Sequence, residues 1–84
     1  MSKEKIFELL QNTIYEVLPD LEGEGEQLSQ EDRLVDLGAD SVDRAEIITM
    51  MLEELSLQIP RVELTGVSNI GELAAKLYEK VQAV

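Results

Sequence analysis

Apolar residues recur every three or four positions in three separate windows of this 84-residue chain, and that spacing leaves little choice but helices. In the first window Ile6, Phe7, Leu10, Ile14, Val17 and Leu18 fall on one stripe between Lys3 and Leu18. Pro19 ends it, because a proline pushes the preceding residue out of the α region. In the second, Ala45, Ile48, Met51, Leu52 and Leu55 form the inner stripe of a helix from Ser41 to about Leu55, with Asp43, Glu46, Glu53 and Glu54 facing out. In the third, Ile70, Leu73, Ala74, Leu77 and Val81 repeat behind Asn69, which has Glu72 three places on in a capping-box arrangement. Ile59-Pro60 stops the chain between the second and third windows, and Arg61 to Gly66 has room only for a turn or a short helix. No segment alternates with the period of a strand. The spacing predicts an all-α fold, a small antiparallel bundle of three long helices plus a short one, with residues 1–84 forming one domain.

Asp20 to Asp40 reads as a long first loop, unusual in so small a domain unless something pins it. Leu28, Leu34, Val35 and Leu37 are the expected pins, and Ser29-Gln30-Glu31-Asp32 has the Ser-x-x-acid pattern that opens a helical turn. The same loop places Asp20, Glu22, Glu24, Gly25 and Glu31 at positions one, three, five, six and twelve of a calcium-binding loop. Glu is longer than the Asp or Asn those positions favour, so the plainer expectation is an acidic loop and no metal site.

Charge and composition exclude more than they assign. Eighteen acidic residues against seven basic ones give a formal charge of −11, which repels phosphate backbones and excludes nucleic-acid binding through counterion release. Positively charged protein surfaces are the favoured partners, and the charge fits a monomer that stays apart from its copies. The chain has neither Cys nor His, so thiolate chemistry, a Ser-His relay and the common transition-metal sites are all closed to it. Catalysis by this chain is not expected. The start, Met1-Ser2-Lys3-Glu4-Lys5, has no apolar run of a secretory signal and no segment has membrane-spanning length, so the expected location is the cytoplasm, away from membranes.

One serine stands at a chemically favourable place. Gly38 permits a tight turn, Ser41 is a favoured N-cap, and Asp40 and Asp43 lie beside the positive end of the helix dipole. The bland reading is a capping serine in a structural or adaptor bundle. The functional reading is an attachment point for a phosphodiester, because free amides and the dipole stabilise an anion at a helix start. The two acids oppose that benefit and so call for a further role, such as recognition of Asp40 by a modifying enzyme with a basic site.

The run Leu37-Gly38-Ala39-Asp40-Ser41-Val42-Asp43-Arg44-Ala45-Glu46-Ile47 resembles the Leu-Gly-x-Asp-Ser-Leu-x-x-x-Glu-Leu signature of acyl carrier proteins, and the order of helices around it is similar throughout the chain. The resemblance implies that a phosphopantetheinyl transferase attaches a 4′-phosphopantetheine arm from coenzyme A to Ser41. The arm then supplies the thiol the protein lacks. It also implies that Asp43, Glu46, Glu53 and Glu54 meet Lys and Arg on partner enzymes, that Val42 is the apolar contact beside the arm, and that Arg44 and Arg61 belong to the same partner face. Val42 stands where the family usually has Leu, and Arg61, Val62 and Leu64 replace a commonly acidic segment, which points to a distinct set of partners. Together with Leu57-Gln58-Ile59-Pro60-Arg61, the run is similar to the freestanding donor carriers of polyketide β-branching. The implied role is an acetyl donor to an enzyme similar to hydroxymethylglutaryl-CoA (HMG-CoA) synthase, with a ketosynthase or acyltransferase as further partners. A general fatty-acid or other polyketide carrier is the alternative.

Overall fold

The computed structural model describes residues 2–22, 28–64 and 66–83, and among these every regular element is helical. Helix α1 spans Lys3–Val17, α2 Pro19–Glu22, α3 Ser41–Glu54 and α4 Ile70–Gln82, with a 3-10 turn at Arg61–Leu64. Helix α1 packs against both α3 and α4, and the 3-10 turn also touches both α3 and α4.

Ser2 opens α1 by accepting a hydrogen bond from the Lys5 amide at 3.1 Å. The predicted stripe then points inward: Ile6, Leu10 and Ile14 are fully buried, while Phe7, Val17 and Leu18 pack half-buried at its edges. Thr13 is also buried, its hydroxyl 2.9 Å from the Leu9 carbonyl and 3.3 Å from Met51 Sδ. Pro19 stops α1 as expected, but it also serves as the first residue of α2, where its fixed φ fits and its missing N–H costs nothing. The start of the expected loop is therefore helical.

The inner stripe of α3 is turned slightly from the expected one. Ile47, Met51 and Leu52 are its buried residues, Ile48 and Leu55 pack half-buried, and Ala45 lies at the edge. Each fully buried Ile or Leu contributes about 1.5–3 kcal/mol by leaving water, so Ile47 matters more than Ala45 to the core. The helix ends before Pro60 is reached. Ser56 takes a left-handed φ of 55°, the Leu57 amide reaches back to the Leu52 carbonyl at 2.9 Å, and Leu57 is buried beneath the turn. In the 3-10 turn, Leu64 is fully buried and joins the core instead of the docking face expected for it, whereas Val62 is 69% exposed.

The connection from Leu28 to Asp40 is pinned by Leu28 and Leu34, which pack on the core. Val35 is 52% exposed and does not serve as a pin: Leu34 takes the inward side of this turn and Val35 stands in solvent. Ser29-Gln30-Glu31-Asp32 closes as a turn and not as a helix start: the Ser29 amide donates to Asp32 Oδ2 at 2.7 Å and the Glu31 amide to Ser29 Oγ at 3.2 Å. This turn aims two carbonyls at α4. The Ile70 and Gly71 amides donate to the Asp32 and Gln30 carbonyls, both at 2.9 Å, so the loop itself seals that helix start.

Candidate functional site

Residues 33–39 form one helical turn that Gly38 terminates. The Ala39 amide bonds the Leu34 carbonyl at 3.0 Å and Gly38 takes a φ of +97°, a conformation that costs other residues strain. Ala39 is buried and fixes the approach to α3. Asp40, and not Ser41, is the N-cap: its Oδ1 accepts from the Asp43 amide at 2.8 Å, and Asp43 Oδ2 accepts from the Asp40 amide at 3.4 Å. The reason lies three residues on. A cap at Asp40 puts the acceptor Asp43 at the reciprocating position, whereas a cap at Ser41 would put Arg44 there, which has nothing to accept with.

Ser41 is therefore the first residue of α3, exposed, with its Oγ bonded to none of the described residues. It lies in the first turn, where helix amides still lack intrahelical partners. The two acids have their structural reason in the capping box, although their charge still opposes a phosphodiester nearby. An exposed, unengaged hydroxyl on a rigid helix start fits covalent attachment of a 4′-phosphopantetheine arm. A chain without Cys has no competing thiol.

Around Ser41 the predicted surface residues separate. Val42 is 70% exposed, a large apolar side chain left in water at the helix start. Glu46, Glu53 and Glu54 are exposed along α3, Asp43 is half-buried in the capping box, and Arg61 is exposed at the 3-10 turn. Arg44 turns back: its Nη1 donates to the Ala39 carbonyl at 2.9 Å, stapling the loop to α3. It borders an open cleft of about 790 Å³ between the 33–38 turn, α3, the 3-10 turn and the start of α4, with Arg33, Leu34, Ile48, Leu64 and Leu73 also on its walls. Lys80 Nζ donates to Glu63 Oε1 at 2.8 Å and ties the 3-10 turn to α4. That hydrogen bond and the Glu63 charge raise the Lys80 pKa above the ordinary 10.5.

Gly71 is the residue that sequence reasoning passed over. A Cβ there would meet the Gln30 carbonyl oxygen and Cβ at 2.8 Å, so only glycine lets the loop seal α4. The available signal was a glycine inside an otherwise regular helical stripe. Of the calcium-loop positions, Glu24 and Gly25 lie outside the described residues and Asp20 is in α2; no group of three acids converges on a metal position among the described residues. No helix among them is long and apolar enough to cross a membrane.

Comparison with known proteins agrees with this geometry. Residues 9–77 match the phosphopantetheine attachment site family. The chain is 65% identical over 83 residues to the polyketide biosynthesis acyl-carrier-protein AcpK of Bacillus subtilis (strain 168), covering 99% of each. It also superposes with a TM-score of 0.84 on a chain from the crystal structure of the curacin biosynthetic pathway HMG synthase in complex with acetyl donor-ACP, at 50% identity, covering 90% of this chain and 95% of that one.

Proposed function

Because this chain belongs to the acyl carrier proteins, which carry a phosphopantetheine attachment site, we propose that Ser41 bears its 4′-phosphopantetheine arm and that it serves as an acetyl donor to an HMG-synthase-like enzyme in polyketide β-branching. The protein is a carrier and not a catalyst. When bound, the arm supplies a thiol that holds the acyl group as a thioester. Residues 1–84 act as one monomeric carrier domain in the cytoplasm. The rigid start of α3 fixes the origin of the tether, and Asp40 presents a carboxylate to the basic site of a phosphopantetheinyl transferase.

Val42 and Arg61 give the docking face an apolar centre and a cation, while Asp43, Glu46, Glu53 and Glu54 draw Lys- and Arg-rich partner surfaces. A tethered substrate needs no tight docking, because the arm raises its local concentration once partners meet. The observation that carries the reading is the exposed, unengaged Ser41 hydroxyl at the first position of α3, within the Gly38-Ala39-Asp40-Ser41 turn. The donor role is supported by the likeness to a chain of the complex between an HMG synthase and an acetyl donor-ACP.

Incubation with coenzyme A and a broad-specificity transferase, followed by intact mass measurement, tests the site. Wild type is expected to gain one phosphopantetheine and Ser41→Ala none; equal gain by both removes Ser41. For the donor role, the acetyl-loaded protein is expected to supply a β-branching HMG synthase better than an acetyl-loaded fatty-acid carrier does. Equal transfer from the two would favour a general carrier.

A further inference from the structure

Of the ion pairs among the described residues, one differs in kind from the others. Lys5–Glu8 and Arg33–Asp36 lie within single segments at 3.6 and 4.0 Å, with more than half of every side chain in water. Lys80 Nζ meets Glu63 Oε1 at 2.8 Å across seventeen positions, with both side chains less exposed, and so joins α4 to the 3-10 turn. That turn carries Arg61 and Val62, both exposed, onto the proposed docking face. We propose that Lys80 is a positioning residue for acyl transfer: through Glu63 it holds the 3-10 turn so that Arg61 and Val62 meet the partner enzyme in a fixed place. The inference rests on the donor reading above and adds to it a residue on a different helix from Ser41.

A four-residue turn has little to fix it from within. The Glu63 amide bonds the Pro60 carbonyl at 3.1 Å, and beyond the turn Gly66 takes a φ of +85°, with no atom beyond its chain neighbours within 4 Å of where a Cβ would stand. The backbone on that side is open. Leu64 is fully buried and holds the turn to the core at one point. One anchor leaves the turn free to rock about it. A second contact on the neighbouring side chain opposes that rocking, and Glu63 supplies it.

The bland reading of Lys80 is a cation at the negative end of the α4 dipole, since it lies in the last turn of that helix. That reading leaves the partner unexplained. A lysine serving only the dipole can stay on the carbonyls of its own helix, whereas this one reaches a carboxylate on another element. The pairing also occupies the acid next but one to Arg61. With Glu63 engaged, the exposed side of the turn is a cation beside a valine, on a protein of formal charge −11. Those two features fit a partner surface with a carboxylate beside an apolar patch, distinct from the Lys and Arg that the α3 acids attract.

The test uses the acetyl-loaded holo protein and a β-branching HMG synthase. Lys80→Met keeps the stem and removes the charge, and Glu63→Ala removes the acceptor. Each is expected to raise KM for acetyl transfer about threefold, the weight of a modest ion pair, with kcat unchanged. The direction decides. Lys80→Met makes the protein more negative and Glu63→Ala less so, and an effect of overall charge would move KM in opposite directions, whereas lost positioning raises it in both. Lys80→Arg, which keeps a charged donor, is expected to stay near wild type. In R61Q/V62A, which already lacks the two contacts, K80M is expected to add nothing. Opposite shifts, an unchanged KM in both single variants, or a full additional loss in the R61Q/V62A background each overturn the proposal. The free protein gives an independent reading. The 15N order parameters of the Arg61 and Val62 amides are expected to fall from the rigid range, about 0.85, toward about 0.6 in K80M, and unchanged values overturn the proposal even where KM rises. If wild type gains its phosphopantetheine yet fails to supply the synthase, the donor reading falls, and the order parameters still decide whether Lys80 holds the turn.

Discussion

Helices α3 and α4 begin with the same local chemistry and end up with opposite accessibility. Asp40 caps the Asp43 amide and Asn69 caps the Glu72 amide, each at 2.8 Å, and each helix has an acid three residues past its cap. At α4 the next two amides are covered by the Asp32 and Gln30 carbonyls, and Ile70 and Gly71 are buried. At α3 none of the described residues covers the start, and Ser41 and Val42 stand in solvent. Capping alone therefore does not distinguish a structural helix start from a functional one. The difference is made by a loop more than thirty residues earlier in sequence, which folds onto one start and leaves the other open to chemistry.

The largest break in this contrast comes from Gly71→Ala. Alanine favours a helix interior by up to about 1 kcal/mol over glycine, so local propensity alone predicts stabilisation. The added Cβ meets backbone and not a yielding side-chain tip, so overpacking of about 1–3 kcal/mol is expected to win, with faster hydrogen exchange at the Ile70 and Gly71 amides. Urea unfolding reads the difference. Ser41→Ala, at the open start, is expected to change stability by less than about 0.5 kcal/mol while abolishing loading. A neutral Gly71→Ala would mean that the loop does not close tightly on α4.

Asp40 offers a smaller and more discriminating test. Asp40→Ala removes the cap and is expected to cost about 1 kcal/mol, whereas Asp40→Asn keeps an acceptor and costs a few tenths. Stability should thus separate the two variants. Loading by the transferase is expected to fall for both, because both lose the carboxylate that the enzyme reads. If loading instead follows stability, with Asn loading like wild type, Asp40 serves the helix and not recognition.

How much of this was legible in the sequence follows from the range of each determinant. The three long helices and most of the core could be read, because a stripe of five or six residues averages over errors at any one. Ser41 could be placed at a helix start, but Asp40 and Ser41 are both good caps, and the choice rests on whether Asp43 or Arg44 completes the box. Leu64 was misplaced because a four-residue turn has no periodicity to say which side faces in. Val35 and Leu34 posed the same ambiguity within a single turn. Pro19 marks the end of one helix and the beginning of the next with the same residue. Gly71 depends on a contact with Gln30, forty-one positions away, that no local pattern encodes. Nor does any local pattern bring Arg33 and Arg44 to one cleft.

The weakest tie tests whether the sealed side also depends on charge. Lys80, in the last turn of α4, is held by Glu63 of the 3-10 turn, with 30% and 40% of the two side chains exposed. The hydrogen bond and the attraction of Glu63 favour the charged lysine in the folded state, so its pKa is raised above 10.5. A raised lysine pKa adds stability that is fully present below the unfolded value and is lost as pH rises through the folded one. Lys80→Met should therefore be slightly less stable than wild type at neutral pH, and the gap should close above about pH 10.5. Other lysines and tyrosines titrate alike in both proteins and cancel in the difference. A gap that persists undiminished at high pH would assign the contact to packing of the lysine stem against the 3-10 turn, leaving the sealed side of the molecule held by shape and backbone hydrogen bonds alone.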